Sequence, residues 1–367
     1  MAFGDMVSYI LAPTRPHAET PLDPLKTGKL LLLRLDGIGD NVCSWPAIRT
    51  LREGLPHTNI TLAAGPWAAP LYRECPWLDE LIIWDSELFG LFRGKGLRWL
   101  REDMRLSRIL RGWGFDAGID LRGDLLSILP LWLAAPPIRI GQASRGGQRL
   151  LTDPLFRRDG NESQRTYDVA RHALGLTPAS APRVTDWPRP LALERALARL
   201  SATGWDRAVP SAALCPGALW PWREWPRERF QELARRLKSE LGMQVVWFLE
   251  KREQASDYAL GDPFFCGELD EVAAALSLCR GAVSNDSGLM HLAVAAGCRT
   301  VQIFGPGDAS RFAHHDDGVA LLHDTSCPLH PCTQRGTCPY GSLGGWCLEK
   351  ISVDQVFAEC KRLWVDR

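Results

Sequence analysis

Short apolar runs that alternate with amphipathic segments restrict the fold of this 367-residue chain more than any other feature. Runs of roughly four to seven residues, such as Lys29–Leu35 and Gln244–Leu249, are each followed by a stretch with helical periodicity. Strands that are apolar throughout are typical of a parallel sheet buried under helices on both faces. The sequence therefore predicts an α/β fold built from doubly wound sheets.

The same pattern predicts the elements of two successive regions. In the first region it predicts a helix at Asn41–Gly54 and strands at Lys29–Leu35, Asn59–Ala64, Leu81–Trp84, Ala117–Leu121 and Ile138–Ile140. In the second it predicts strands at Ala212–Cys215, Gln244–Leu249, Gly281–Ser284 and Thr300–Phe304, and helices at Arg227–Leu241, Asp270–Cys279, Ser287–Ala296 and Val353–Leu363. Ligands of such sheets bind beyond the carboxyl ends of the strands, so functional residues are expected in the loops that follow the strands.

Two domains are expected because the chain exceeds the ~250–300 residues at which one hydrophobic core stops growing. A stretch rich in proline, aspartate and arginine, around a helix at Leu191–Leu200, separates the two regions. The predicted boundaries are a loose N-terminal extension at 1–27, an N-terminal domain at 28–185, a linker at 186–209, a C-terminal domain at 210–350 with a cysteine-rich loop at 327–347, and a C-terminal helix at 351–367.

Composition and charge narrow the class of protein. The 43 basic and 43 acidic residues balance, so net charge gives no reason to expect a nucleic-acid partner. No segment approaches the ~18 uncharged apolar residues of a membrane-spanning helix, and residues 1–27 lack the organisation of a signal peptide. We therefore expect a cytoplasmic protein whose eleven cysteines are mostly thiols.

The first loop of interest follows the strand Lys29–Leu35. Gly37 and Gly39 let the backbone turn tightly, and Asp40 stands at the start of the next helix. A carboxylate in this position is either a general base that faces a ligand or a plain helix N-cap. Both interpretations are open from the residues alone.

The second loop follows the strand Ala212–Cys215. It contains Gly217 and, just before a helix, the cation Arg223. A glycine turn and a cationic side chain ahead of a helix N-terminus are suited to clamping a diphosphate. The alternative is a surface arginine beside a packed aromatic cluster.

The third loop carries the strongest signal. A buried strand ends at Ser284, Asp286 or Ser287 is expected to cap a helix, and Gly288 has no side chain to block an approaching phosphate. The sequence therefore predicts an anion site at this helix N-terminus. His291 lies one turn further on and either reaches the ligand or is a core histidine that bonds a backbone carbonyl.

A cysteine cluster near the C-terminus is a candidate structural zinc site. Its members are Cys327, Cys332, Cys338 and Cys347. Four thiols suit zinc, but no CxxC pair occurs among them, so local packing or redox pairing is the alternative.

Four segments that include these loops together resemble glycosyltransferase family 9, which contains the ADP-heptose:lipopolysaccharide heptosyltransferases. The segments are RLDGIGD at 34–40, DAGIDLRGDLLS at 116–127, CPGALWPWREWPRERF at 215–230, and SNDSGLMHLAVAAG at 284–297 followed by IFGP at 303–306. The resemblance implies the GT-B fold, in which two Rossmann-like domains face each other across a cleft. The C-terminal domain would hold most of the nucleotide-sugar donor, and the N-terminal domain would hold the acceptor.

Matching the motifs residue by residue implies individual roles. Asp40 would be the catalytic base. The donor's phosphates and sugar would be held by Asp286, Ser287, Gly288, Leu289 and His291, with Gly217 and Arg223 completing the phosphate site. Arg223 stands where the family usually has a lysine, so the charge is kept while a compact ammonium becomes a planar guanidinium.

Two further groups are candidates within that family. Glu250 and Glu253 follow the strand Gln244–Leu249 and are predicted to bind the donor ribose, the alternative being a solvated helix start. Because lipopolysaccharide acceptors carry carboxylates and phosphates, a basic glycine-rich segment with Arg145 and Arg149 is a candidate acceptor clamp, as is Gly39. A solvated loop is the other interpretation.

The resemblance implies inverting transfer of a heptose from ADP-heptose to a lipid-linked core saccharide, with peripheral contact at the cytoplasmic face of the inner membrane. No DxD-type pair follows a strand, so we expect catalysis without a metal cofactor. Two alternatives stay open: the same fold with another nucleotide-sugar and another bacterial glycan, and a catalytically idle nucleotide-binding homologue. A nicotinamide oxidoreductase is disfavoured because no GxGxxG motif follows the first strand.

Overall fold

The computed structural model describes residues 21–85, 98–143, 146–156, 160–183, 190–332, 338 and 346–366. The chain divides into two compact units, Met1–Pro182 and Arg183–Arg367. Each unit contains one six-stranded sheet in which every described strand pair is parallel. The predicted α/β class is confirmed.

The first unit is a sheet of six strands with five described helices. Its strands are β1 Lys29–Arg34, β2 Asn59–Ala64, β3 Glu80–Ile83, β4 Ala117–Asp120, β5 Ile138–Gln142 and β6 Asp153–Leu155. Its helices are α1 Ile38–Cys43, α2 Trp45–Gly54, α3 Arg98–Arg111, α4 Leu125–Ala134 and α5 Glu162–Ala173.

The second unit repeats this architecture. Its strands are β7 Ser211–Cys215, β8 Gln244–Phe248, β9 Phe264–Phe265, β10 Gly281–Asn285, β11 Arg299–Phe304 and β12 Val319–His323. Its described helices are α6 Pro190–Ser201, α7 Arg227–Leu241, α8 Ala255–Tyr258, α9 Leu269–Ser277, α10 Gly288–Ala295, α11 Ala309–Phe312, α12 Trp346–Glu349 and α13 Val353–Trp364.

Strand order places a switch point in each sheet. The first sheet runs β3-β2-β1-β4-β5-β6 and the second β12-β11-β10-β7-β8-β9. The chain therefore builds one half of each sheet, returns to the middle and builds the other half. Ligands of doubly wound sheets bind where the order reverses, beyond the carboxyl ends of β1 and β4 in one unit and of β7 and β10 in the other.

The local sequence explains why these elements form. In β1 the leucines at 30–33 are fully buried, as a central parallel strand requires. Helix α7 begins after Pro226 and ends at Gly242, whose φ of 62° suits a residue without a side chain. Its buried positions recur every three or four residues and are Phe230, Leu233, Ala234 and Leu237. Each large side chain buried in this way contributes roughly 1.5–3 kcal/mol.

The predicted helix Asn41–Gly54 is wrong as a single element. The structure has two helices, α1 and α2, which meet at Ser44. Pro46 lies in the first turn of α2 and has no N–H to donate to Val42, so the first helix cannot continue through it. The break leaves α1 as a short helix that carries Asp40.

The other predicted elements are present, with ends that differ by at most two residues, and β2 and α7 have the predicted bounds. Nine of the described helices and strands were not predicted: α3, α4, α5, α8, α11, α12, β6, β9 and β12. Helix α5 was not predicted because its buried face includes the polar residues Glu162, Arg165 and Asp168, which interrupt the apolar periodicity of a helix. Across the described residues, no helix has the length and apolar character needed to span a membrane.

Candidate functional site

The loop after β1 lies at the switch point of the first unit. Gly37 occupies the N-cap position of α1, and Asp40 lies in the first turn. The interpretation of Asp40 as a plain N-cap is therefore wrong. The amide of Asn41 holds the turn by donating to the carbonyls of Asp36 (3.0 Å) and Gly37 (2.9 Å). This leaves the Asp40 carboxylate, 23% exposed, available to a ligand on the solvent side.

A buried arginine organises the carboxylates around this loop. Arg34, the last residue of β1, is fully buried. Its Nε lies 3.1 Å from Asp36 Oδ1, and its Nη2 lies 2.8 Å from Glu162 Oε1 and 3.5 Å from Asp40 Oδ1. Burial raises the pKa of Asp36 to about 8, against the pull of Arg34.

In the second unit the two switch-point loops are joined by one buried side chain. The Asn285 amide donates to the Pro216 carbonyl (2.6 Å), and its oxygen accepts the Trp225 N–H (3.0 Å). Asn285 thus links the end of β10 to both sides of the loop that carries Gly217 and Arg223. This role of Asn285 was not predicted from the sequence. An asparagine in an otherwise buried strand nevertheless indicates such a role, because a buried amide needs hydrogen-bond partners.

The N-terminus of α10 has the features of an anion site. Ser287 is the N-cap residue, and its hydroxyl makes no capping bond. The amides of Gly288 and Leu289 have no acceptor within the part of the chain that the structure describes. Ser287, Gly288 and Leu289 are half-buried, while Asp286 and Met290 on either side of them are buried. Open N–H groups and the helix dipole together favour a phosphate here.

Arg223 lies beside this helix N-terminus. Its Nη1 is 3.1 Å from Asp286 Oδ2, and the Asp286 side chain is nearly buried. The predicted contact of Asp286 with a phosphate is disfavoured by this geometry, because a carboxylate repels phosphate oxygens. Asp286 is placed instead to hold the Arg223 guanidinium. Gly307 permits this arrangement, since a side chain there would lie 2.0 Å from Asp286 Oδ2.

His291 is buried, and its ring bonds a second histidine. Its Nδ1 lies 2.8 Å from His314 Nε2. Gln302 fixes His314 by donating to its carbonyl (2.8 Å) and accepting its N–H (3.0 Å). Burial lowers the pKa of His314 to about 4 and the pKa of His291 well below its ordinary value. The pair is therefore neutral at physiological pH, and His314 is a neighbour that sequence analysis missed.

The two ribose candidates lie beyond β8, and both are exposed. A third carboxyl group, which sequence analysis missed, lies nearby. Glu224 Oε1 accepts the Ala218 N–H at 3.2 Å, and burial together with the charge of Glu250 raises the pKa of Glu224. Glu250 thus lies close enough to Glu224 to act on it electrostatically, and Glu250 and Glu253 both act in this way on the Cys266 thiol.

The acceptor candidates are only partly described. Gly39 lies in the first turn of α1, next to Asp40. Arg149 is exposed in a single turn of 3-10 helix, which begins after Gly147. Arg145 lies outside the described residues. The neighbouring Arg139 is structural, because its guanidinium donates to the carbonyls of Leu150 and Pro136, each at 2.8 Å.

The four cysteines are not assembled into a metal site. Among the described residues, no three of the sulfurs of Cys327, Cys332, Cys338 and Cys347 lie within 4.8 Å of one another. Burial raises the pKa of Cys347 to about 11, and the Cys332 and Cys338 thiols nearby act in the same direction.

Comparison with known proteins identifies the family. Residues 104–337 match glycosyltransferase family 9 (heptosyltransferase), which is more than half of the chain. The chain belongs to this family. It is accordingly a glycosyltransferase, and the family resemblance seen in its sequence motifs is confirmed.

Relatives of this family member cover most of its length. It is 27% identical over 303 residues to lipopolysaccharide heptosyltransferase 2 of Escherichia coli K12, which covers 76% of this chain and 83% of the relative. It is 25% identical over 328 residues to lipopolysaccharide heptosyltransferase 1 of Pseudomonas aeruginosa PAO1, which covers 85% of this chain and 88% of the relative.

Solved structures of the family share its fold. The structure of E. coli ADP-heptose lps heptosyltransferase II matches with a TM-score of 0.72 and 21% identity, over 92% of this chain and 99% of that one. A glycosyl transferase family 9 structure from Veillonella parvula matches with a TM-score of 0.76 and 20% identity, over 95% of this chain and all of that one (100%). The predicted GT-B fold of Rossmann-like units is confirmed.

Proposed function

We propose that this enzyme transfers a heptose from ADP-heptose to a lipid-linked lipopolysaccharide core saccharide, with inversion at the anomeric carbon. The observation that carries the proposal is the N-terminus of α10, where two open amides lie beside Arg223. The curated relatives that match most of this chain are lipopolysaccharide or lipooligosaccharide heptosyltransferases. A structural relative, E. coli heptosyltransferase WaaC, has been solved with ADP and with ADP-2-deoxy-2-fluoro heptose.

The donor's diphosphate would bind at this helix N-terminus. The amides of Gly288 and Leu289 donate to phosphate oxygens, and the helix dipole adds roughly 0.3–1 kcal/mol. Arg223 contributes a charge-assisted bond and stabilises the negative charge that grows on the leaving diphosphate. His291 lies one turn further along the helix, and Glu250, Glu253 and the loop at Gly217 are the candidates for the nucleoside side.

The acceptor hydroxyl would lose its proton to Asp40. An inverting displacement needs a base for the nucleophile, and a partly exposed carboxylate in the first turn of α1 is suited to that task. Gly39 leaves room for a saccharide beside it, and Arg149 offers a cation for an acceptor phosphate. With Arg223 and the helix dipole placed to neutralise the leaving group, we propose that no metal ion is needed.

A lipid-linked acceptor would bring the enzyme to the cytoplasmic face of the inner membrane as a peripheral protein. Two other functions remain as outcomes of the test. One is transfer of another sugar from a different nucleotide to a different bacterial glycan. The other is nucleotide binding without catalysis.

Calorimetric titration with ADP, UDP and GDP in the presence of EDTA tests the donor site. We expect selective binding of ADP, about tenfold weaker in Arg223→Gln because one charge-assisted bond is lost. The matched control is Arg227→Gln, an exposed arginine that pairs with Glu228. A preference for UDP or GDP would overturn the proposed donor, and binding without transfer of any sugar would favour the idle homologue.

A further inference from the structure

Three carboxylates from separate parts of the first unit converge on a single buried cation. Asp36 belongs to the loop after β1, Asp40 to α1, and Glu162 is the first residue of α5. All three contact the guanidinium of Arg34, which is fully buried. An unpaired guanidinium would be very costly in this position, so the carboxylates account for its burial. The cluster also holds more potential negative charge than one cation neutralises.

One nitrogen of Arg34 serves two of these carboxylates. Nη2 lies 2.8 Å from Glu162 Oε1 and 3.5 Å from Asp40 Oδ1. Nη2 interacts more strongly with Glu162 than with Asp40, because the electrostatic interaction weakens as the distance increases. Glu162 therefore weakens the hold of Arg34 on Asp40.

Helix α5 is fixed against the helix that carries Asp40. The hydroxyls of Ser163 and Thr166 each donate to the Cys43 carbonyl at 3.0 Å, and Cys43 is the last residue of α1. Asn161 caps α5 by accepting the Gln164 N–H at 2.9 Å. These bonds join the helix that carries Glu162 to the helix that carries Asp40, so the fold places both carboxylates beside Arg34.

We propose that Glu162 is a positioning residue, which acts through Arg34 to orient Asp40. The inference rests on the proposed role of Asp40 in glycosyl transfer. Arg34 supplies the orientation, since its Nε also donates to the Asp40 carbonyl at 3.0 Å. Glu162 supplies the competing negative charge.

Among the other titratable groups in this part of the first unit, Asp120 at the end of β4 changes charge within the assay range, because burial raises its pKa to about 6. The pKa values of Cys43 on α1 and of Tyr72 are both raised by burial, so both stay neutral. Arg122, which follows β4, is a cation 2.7 Å from Asp124. Burial raises the pKa of Asp36, against the pull of Arg34.

Because these carboxyl groups interact, the acid limb of the activity profile belongs to the cluster rather than to one residue. Replacing Glu162 with glutamine removes a negative charge, so it makes the remaining carboxyl groups easier to ionise. The acid limb must then move to lower pH. Loss of packing alone would not move the acid limb to lower pH.

The test is the pH dependence of transfer at saturating donor, measured for Glu162→Gln, Glu162→Asp and Asp40→Asn. For Glu162→Gln we expect the acid limb to move down by roughly one pH unit and kcat to fall about threefold, while KM for the donor is unchanged. Glu162→Asp keeps the charge and should restore the position of the limb. The control is Glu53→Gln, an exposed carboxylate in the same unit that pairs with Arg49.

Two failures are distinguishable. If Asp40→Asn is inactive but Glu162→Gln leaves the limb in place or moves it upward, Glu162 is only a structural residue and the inference is wrong. If Asp40→Asn keeps wild-type activity, the proposed base itself is wrong and the inference falls with it. Thermal unfolding of each variant separates loss of fold from either outcome.

Discussion

Arg223 Nη1 lies 3.1 Å from Asp286 Oδ2, and this ion pair joins the loop after β7 to the N-terminus of α10. The two segments are 60 residues apart at their linking hydrogen bond from Trp225 to Asn285. They meet because β7 and β10 are neighbours at the switch point of the second sheet. The proposed donor site thus combines a cation from one strand end with open amides from the other.

Asp286→Asn should weaken ADP binding about tenfold, although it removes a negative charge. The reason is that Arg223 loses the partner that directs it towards the helix N-terminus. Calorimetry with ADP measures the effect, and Asp308→Asn is the control, because Asp308 caps α11 and asparagine caps as well. Unchanged or tighter binding would show that Asp286 repels the phosphate more than it orders Arg223.

Asn285→Asp should destabilise the second unit by about 2 kcal/mol. The change is nearly isosteric, but it replaces the N–H group that donates to Pro216 with an oxygen, 2.6 Å from that carbonyl. Urea unfolding measures the loss, with Asn161→Asp as the control that keeps a helix cap in the first unit. Stability equal to wild type would contradict the role of Asn285 as a link between the two loops.

Gly281→Ala should destabilise the second unit by about 1–3 kcal/mol, because a Cβ there would lie 2.0 Å from Trp364 Nε1 and 2.7 Å from the Arg299 carbonyl. Trp364 cannot easily move, since it is buried and donates to that carbonyl at 2.9 Å. Urea unfolding provides the measurement. Gly217→Ala is the control for stability, as nothing lies within 4 Å of its added Cβ. Equal stability of the two variants would refute this packing argument.

The neutral histidine pair predicts a specific dependence of stability on pH. The pKa of His314 falls from 6.5 to about 4 on folding, so between these values the unfolded chain binds more protons than the folded one. Stability therefore rises with pH across this window and is lost as pH falls through it, by about 3 kcal/mol for this residue.

Urea unfolding between pH 4.5 and 7 measures this effect. His314→Gln should flatten the slope, while His57→Gln, a change at an exposed histidine of the first unit, should not. An unchanged slope in His314→Gln would mean that His314 is not held neutral by the fold.

Local sequence signals determined most of the fold and part of the site. The bounds of α7 follow from Pro226, Gly242 and a regular apolar face, and those of β2 from an uninterrupted apolar run. The turn at Gly37 and Gly39 and the open helix N-terminus at Gly288 could also be predicted, because each depends on only a few adjacent residues.

The missed residues depend on tertiary contacts. Glu162 lies 128 positions from Arg34, and His314 lies 23 positions from His291. No local rule connects such pairs, because only the order of the strands brings their loops together. Helix α5 itself was hidden by the polar residues that it buries.

Transfer of heptose from ADP-heptose to a heptose-deficient lipopolysaccharide acceptor, followed by mass spectrometry with EDTA present, tests the central claim most directly. The account predicts a product heavier by one heptose with the wild-type enzyme, and a rate reduced by about a hundredfold or more in Asp40→Asn, the loss expected for a general base. Transfer only from another nucleotide-sugar, or an Asp40→Asn variant as fast as wild type, would contradict it.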